Sequence, residues 1–512
     1  VKLIMLLLFF SVMVGVGIYS RKHATSMNDF VLGGRSVGPW LTAFAYGTSY
    51  FSAVVFVGYA GQFGWKYGLA STWVGLGNAV LGSLLAWVVL GRRTRIMTHH
   101  LKAATMPDFF GKRYDSNALR IAASAIVFIF LIPYTASLYN GLSRLFGMAF
   151  DVPYAVCVIL MATLTGVYVI LGGYMATAIN DFIQGIIMLA GIVAVILAVL
   201  NGQGGFMQAV RSLSEIPSDV PVTLGQQGAF TSFFGPDPVN LMGVVILTSL
   251  GTWGLPQMVH KFYTIRNEKA VNTGTVISTI FAVIISGGCY FLGGFGRLFD
   301  NPGIYAEDGS IIYDGIIPSM LSTLPDVLIG IVVILVLSAS MSTLSSLVLT
   351  SSSTLTLDFI KGNLMKDLSD KKQLLITRIL IVFFIIISVI LALDPPTFIA
   401  QLMGISWGAL AGAFLAPFLY GLFWKRVTKA AVWASFAAGV GITVSNMFLH
   451  FIASPINAGA IAMVAGLVIV PVVSVLTPKP EKQHMDSIFA CYDEPVSVKL
   501  KIALPEKELD EE

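Results

Sequence analysis

Asp181 stands alone in ATAINDFIQGIIMLAGIVAV, the only charged residue between Asp151 and Arg211. An ionisable group in so apolar a stretch is expensive unless it faces protein or an ion. The ordinary alternative is a helix cap, because a carboxylate is favoured near a helix N-terminus. A second concentration of chemistry lies in SASMSTLSS, where Ser342, Thr343, Ser345 and Ser346 place four hydroxyls within five positions. On a helix, 342, 345 and 346 share one face, and Thr343 is turned about 100° away. Hydroxyl and carbonyl oxygens with at most one carboxylate suit a hard monovalent cation, sodium before others. No His/Cys set for zinc and no carboxylate cluster for calcium accompanies them. The alternative is that such serines bond back to their own helix, the better reading for Ser351 to Ser353.

Two apolar segments are built to position such groups. GPWLTAFAYGTSYFSAVVFVGYAG carries Tyr46, Gly47, Thr48, Ser49, Tyr50 and Ser52 at its middle, and VNLMGVVILTSLGTWGLPQMV carries Thr248, Ser249, Gly251, Thr252, Gly254 and Pro256. Gly and Pro weaken a helix there, and freed backbone at membrane depth is tolerated only where it lines a cavity or binds something. The two lie five helices apart. An odd-numbered repeat inverts its partner across a membrane, so a matched pair of broken helices reads as an inverted repeat with broken first helices. Small-residue packing between ordinary helices is the alternative.

The rest of the chain supplies the membrane. Of 512 residues, 11% are charged and 56% hydrophobic, too little polar surface to coat several soluble cores. Uncharged spans at 36–65, 67–91, 121–143, 152–180, 182–210, 270–296, 327–357 and 395–424 each exceed the roughly 20 residues that a crossing helix needs. With 1–20, segments near 238–257 and 373–393, and two helices within 430–478, the expected count is thirteen. Long unalternating runs such as LIVFFIIISVILAL exclude a β-barrel. All but five of the 31 Lys and Arg residues fall on one side of this arrangement; Lys2, Lys66, Arg144, Arg211 and Arg297 fall on the other. That bias places the N-terminus outside and the C-terminus in the cytoplasm.

The first apolar stretch has no small-residue cleavage site and ends in Arg21-Lys22, so it reads as a retained helix rather than a signal. Three cysteines make no disulfide or metal framework. The net charge of +4 follows from the sidedness and implies no nucleic-acid partner. A membrane enzyme would need a nucleophile, base or metal set, and the histidines at 23, 99, 100, 260, 450 and 484 fall at helix ends or in loops. The expected organisation is an extra N-terminal helix at 1–20, a first five-helix repeat at 38–200, a solvated connector at 201–236, a second repeat at 237–424, two further helices at 430–477, and a polar cytoplasmic tail at 478–512.

Four stretches together, DFVLGGRSVGPW, GGYMATAINDFIQG, GLPQMVHKFYTIRNEKAV and SASMSTLSS, resemble the sodium:solute symporter family of bacterial proline, pantothenate and sialic acid transporters and animal glucose and monocarboxylate transporters. The resemblance spans about residues 5 to 475. It implies an all-α polytopic fold, the thirteen-helix form of the five-plus-five inverted repeat. It also implies a shared sodium site made by the carbonyls of Thr48, Phe51 and Ala339 with the hydroxyls of Ser342 and Thr343. Members similar to the sialic acid transporters hold a second sodium with an aspartate and three serines, matched here by Asp181, Ser342, Ser345 and Ser346.

The implied solute contacts fall among Tyr46, Ser49, Ser52, Tyr134, Thr135, Ser137, Thr248, Thr252, Trp253 and Gln257. The sialic acid arginine aligns near Leu131, and no glutamate stands in the third helix as in sugar transporters. The proline transporters' aspartate and Ser-Gly-Trp run are replaced by Tyr50 and Ser52-Ala53-Val54. Their aromatics in the seventh helix fall on Thr248 and Thr252. The expectation is a secondary active symporter in the cell (inner) membrane, a monomer in the lipid bilayer with sodium as coupling ion and no cofactor. It would import a small solute bearing a carboxylate: an amino acid, a monocarboxylate or a pantothenate-like molecule. Proton coupling through Asp181 and proline specificity stay open.

Overall fold

The computed structural model describes residues 2–21, 25–150, 152–365 and 367–492, and among these no strand occurs beyond two isolated bridges. Among the described residues nine helices are long and apolar enough to cross a membrane, or ten if one bent pair is a single span. Two of the nine, Val54–His100 with 47 residues and Tyr154–Gly202 with 49, would each run about 70 Å at 1.5 Å per residue. That is more than twice a hydrocarbon core of about 30 Å. Each is broken at a glycine in the left-handed region, Gly68 (φ 60°) and Gly173 (φ 54°).

We label the main helices α1 (Lys2–Ser20), α2 (Pro39–Tyr50), α3 (54–67), α4 (72–100), α5 (Asn117–Phe150), α6 (154–172), α7 (174–202), α8 (Pro238–Gly254), α9 (Pro256–Tyr263), α10 (Glu268–Gly293), α11 (Asp326–Leu364), α12 (Asp370–Leu393), α13 (Ile399–Phe423), α14 (Lys429–Leu449) and α15 (Pro455–Leu476). The apolar windows of α13 and α11 are 94% and 78% buried, against 33% for α12 and α14, so the first two form the centre and the others the rim. Leu375, Ile379, Phe383, Ile386 and Ile390 make the bare apolar face of α12, as expected where lipid is the solvent.

Both segments singled out in the sequence are broken. After Tyr50 the backbone becomes extended at Phe51 (φ −107°, ψ 130°) before α3 begins. Between α8 and α9, Leu255 is extended (φ −81°, ψ 122°) because Pro256 disfavours the helical conformation in the residue before it, and the axis bends by 44°.

The division between α6 and α7 falls at Gly173, where the positive φ of a glycine sets it, so Asp181 sits two turns inside α7. Segment 201–236, a connector in which a short surface helix is the alternative reading, does carry one. It forms a helix at Phe206–Ser214 that buries Ala209 and Leu213, buries Phe230, and carries Asp219, which accepts from Arg297 at 2.7 Å. The tail forms a helix at Lys482–Phe489 that buries Met485, Ile488 and Phe489, with Asp486 bound to Lys425 at 2.8 Å. The acidic end, EKELDEE, lies outside the described residues.

Gly173 gives a sharp test of the break. A Cβ there would meet the Phe30 carbonyl oxygen at 2.7 Å in a backbone conformation that L residues rarely adopt. Gly173→Ala is expected to lose about 1–3 kcal/mol from backbone strain alone. Melting of the purified variant beside Gly15→Ala, whose added methyl meets nothing within 4 Å, checks this.

Candidate functional site

The break after α2 turns backbone carbonyls toward α11. Thr343 Oγ1 lies 3.3 Å from the Thr48 carbonyl oxygen, 3.4 Å from that of Phe51 and 3.1 Å from that of Ala339, so four of the five expected ligand groups of the shared site meet at one point. A hydroxyl has a single hydrogen to donate among three acceptors. Electron-rich oxygens therefore outnumber protons here, which is the condition a small cation satisfies. The fifth group, the Ser342 hydroxyl on the adjacent residue, is buried beside the Asp181 carboxylate.

On the neighbouring face of α11 a different arrangement stands. Asp181 is fully buried and forms an ion pair with Lys261 at 3.7 Å, and Lys261 Nζ donates to Ser346 Oγ at 3.0 Å. Ser346 Oγ in turn lies 2.9 Å from Ser49 Oγ of α2. Ser345 donates to the Ser342 carbonyl at 2.8 Å within its own helix. Asp181 is no helix cap, because α7 starts at Tyr174 and the carboxylate sits two turns inside it. Its partner was missed: Lys261 reads in sequence as one more cytoplasmic loop charge, and His260 beside it as a loop histidine. Both are instead buried on α9. Gln257 and Lys261, four apart on one face of a helix started by Pro256, were the available signal.

The ten expected solute contacts are all buried. Some have committed their polar atoms. Tyr46 and Thr252 both donate to the Gly82 carbonyl, at 2.8 and 3.0 Å, and Trp253 donates to that of Leu81 at 2.8 Å, tying α2 and α8 to α4. Thr135, Ser137 and Thr248 donate within their own helices, the ordinary reading of such residues. Ser49 belongs with Ser346, and Ser52 accepts from the Val54 amide at 3.2 Å. Both amide atoms of Gln257 remain without hydrogen-bond partners, and the Tyr134 hydroxyl sits beside Ser52 and Trp407.

Around Tyr134 the structure gathers Tyr50 from the broken segment and adds Tyr59, Tyr290 and Trp407, which the sequence did not single out. Tyr50 stacks on Trp407 at 5.9 Å and 20°, and Tyr134 meets the same indole edge-on at 5.9 Å. Tyr50 also donates to the Thr248 carbonyl, joining the two broken helices. Tyr59 and Tyr290 come within electrostatic reach of Tyr134; the Tyr59 hydroxyl lacks a hydrogen-bond partner, and the Tyr290 hydroxyl sits beside Asn78. The centre is thus an uncharged aromatic cluster in which the Tyr59 hydroxyl and the Gln257 amide are unpaired.

Comparison with known proteins accounts for this geometry. The model of the sodium:solute symporter family matches residues 30–439. The chain belongs to that family. The symporter is 29% identical over 484 residues to the osmoregulated proline transporter OpuE of Bacillus subtilis, covering 93% of this chain and 94% of that one. It is 29% identical over 453 residues to a sodium/proline symporter of Staphylococcus aureus, covering 86% and 85%. Its fold is that of a Na+-coupled sialic acid symporter solved in a substrate-bound outward-open state, with TM-score 0.75 at 17% identity over 94% of this chain and 99% of that one. The nucleobase-cation-symport-1 family transporter Mhp1 in a closed conformation is more distant, with TM-score 0.52 and 12% identity over 90% and 98%. The symporter is accordingly a multi-pass membrane transporter that couples sodium to a small solute, and not an enzyme.

Proposed function

We propose that this symporter imports a small organic solute bearing a carboxylate, driven by sodium held by Thr48, Phe51, Ala339, Ser342 and Thr343. The observation that carries the reading is the Thr343 hydroxyl set among carbonyls of both α2 and α11. A cation there bridges the broken helix to the central one. Sodium then favours the state in which α2 and α11 frame an open path from outside, solute completes closure, and release of sodium inside frees the solute. Coupling between the two sites is reciprocal.

The aromatic cluster supports the solute class. The Tyr59 hydroxyl and the Gln257 amide donate to a carboxylate without any fixed positive charge, while the faces of Tyr50, Tyr134 and Trp407 accept an ammonium group or an apolar ring. Amino acids lead on this chemistry, with monocarboxylates and pantothenate-like solutes behind them. Two relatives are named for proline, yet Tyr50, Ser52, Thr248 and Thr252 depart from the proline pattern, so proline is one solute of the screen and not its presumed answer. Splitting the two over-long helices at Gly68 and Gly173, joining α2 to α3 and α8 to α9, and counting α1 supports thirteen crossings. With the lysine and arginine bias, this puts the N-terminus outside and the C-terminus in the cytoplasm of an inner-membrane protein working as a monomer.

Thermal stability of the purified protein in sodium against potassium, screened over amino acids, monocarboxylates, pantothenate and sugars, tests the reading. A ligand present at 100 times its Kd stabilises by about 2.7 kcal/mol. The expected result is a carboxylate that raises Tm only when sodium is present. Stabilisation indifferent to sodium would overturn the proposal in favour of proton coupling.

A further inference from the structure

Lys261 lies where a second sodium would have to bind. The four side chains that the resemblance assigns to that ion are Asp181, Ser342, Ser345 and Ser346, and the Lys261 ammonium pairs with the first and donates to the last. The face of Tyr174 stands 5.2 Å from Nζ. An ammonium and a sodium ion carry the same charge and are met by the same oxygens. Asp181 and Lys261 are 0% and 2% exposed, so each neutralises the other away from water. A sodium ion added to this cluster would set two positive charges against one carboxylate in an apolar interior, the arrangement that buried charges avoid.

We propose that Lys261 is a tethered cation resident in the second ion position, so that this symporter binds one sodium, at the shared site alone. The inference rests on the sodium-symport reading above. It also gives the lysine a positioning role. Ser346 accepts from Lys261 and has its own hydrogen free for Ser49, so a chain of hydrogen bonds runs from the ammonium to α2, one residue beyond the Thr48 carbonyl. The built-in charge thereby holds α2 against α11 whether or not sodium is present. In a transporter with an exchangeable second ion, that contact would come and go with the ion.

Saturation binding of radioactive sodium to the purified full-length protein, with potassium as control, decides the matter. Wild type and Lys261→Arg are expected to bind about one sodium per chain. Lys261→Met, which leaves the Asp181 carboxylate and the serines vacated, is expected to bind about two. The Hill slope should rise correspondingly from about one. Asp181→Asn combined with Lys261→Met removes both charges and should return the count to one, which separates a filled ion position from a general loosening. Two sodium ions bound to wild type would overturn the inference outright and needs no variant to fold. A folded Lys261→Met that still binds one would do the same. Wild type that binds no sodium would instead overturn the symport reading, and this inference with it.

Discussion

Ser342→Ala together with Thr343→Ala raises the sodium concentration for half-maximal stabilisation about a hundredfold, while the protein still folds. Hydrogen bonds and ligations that involve a charge are worth about 1.5–3 kcal/mol each, and losing two of five oxygen ligands removes about 3 kcal/mol or more from the ion. Each 1.4 kcal/mol is about tenfold in affinity. Folding suffers far less, because alanine is the best helix former and α11 runs on for many turns on both sides. The loss falls on the ion for a geometric reason: the Thr48 and Phe51 carbonyls belong to a break where no helical partner answers them, and Thr343 is the group from α11 that reaches both. Thr343→Ser keeps the oxygen and should restore most of the affinity. A double alanine variant with an unchanged sodium midpoint would remove the shared site from the mechanism. The measurement is a sodium titration of Tm, with potassium holding ionic strength constant.

What the sequence discloses about this protein is mostly its violations of local rules. Asp181 in an uncharged run, four hydroxyls in five positions, and Gly, Ser, Thr and Pro in the middle of two spans each break an expectation for a lipid-embedded helix. The first two and the first span meet at the Asp181–Lys261 pair and the Thr343 cluster, and the second span breaks at Leu255. The periodicity of SASMSTLSS puts Thr343 about 100° around the helix from Ser342, which 3.6 residues per turn gives without tertiary information. The partners are tertiary: Thr343 meets the carbonyls at the break, and Ser346 meets Ser49 and Lys261.

What stayed hidden depends on contacts between distant segments. Lys261 obeys every local rule for a cytoplasmic loop charge, following a proline and preceding a run with Arg266 and Lys269. Only the bend at Leu255 sends α9 inward and brings its ammonium to Asp181, 80 residues back in the chain. The aromatic cluster is similarly distributed. Tyr50, Tyr134 and Trp407 come from α2, α5 and α13, and nothing in any one of these helices marks its aromatic residue as facing the others. An aromatic residue in an apolar helix is the expected filling of a core, so its hydroxyl becomes informative only when it is found buried without a partner.

Asp181→Asn should be strongly damaging, and the reason lies in its partner. The amide keeps the shape of the carboxylate but leaves the Lys261 ammonium buried with Ser346 as its remaining hydrogen-bond acceptor. Breaking a buried pair by neutralising one member costs about 3–5 kcal/mol. Set against a total stability of about 5–15 kcal/mol for a typical domain, that is enough to lower Tm and membrane yield sharply. Removing both charges together is a different case, since a matched pair replaced by neutral side chains leaves no orphan. Asp181→Asn with Lys261→Met should therefore recover most of the loss, and the double-mutant cycle should give a coupling energy well above the few tenths of a kcal/mol seen for independent sites. If Asp181 mattered by taking up protons or by capping α7, the second substitution would add damage instead of repairing it. Melting curves of the four members of the cycle, taken in potassium so that no coupling ion contributes, distinguish these outcomes. An Asp181→Asn protein as stable as wild type would mean that the ammonium does not depend on this carboxylate.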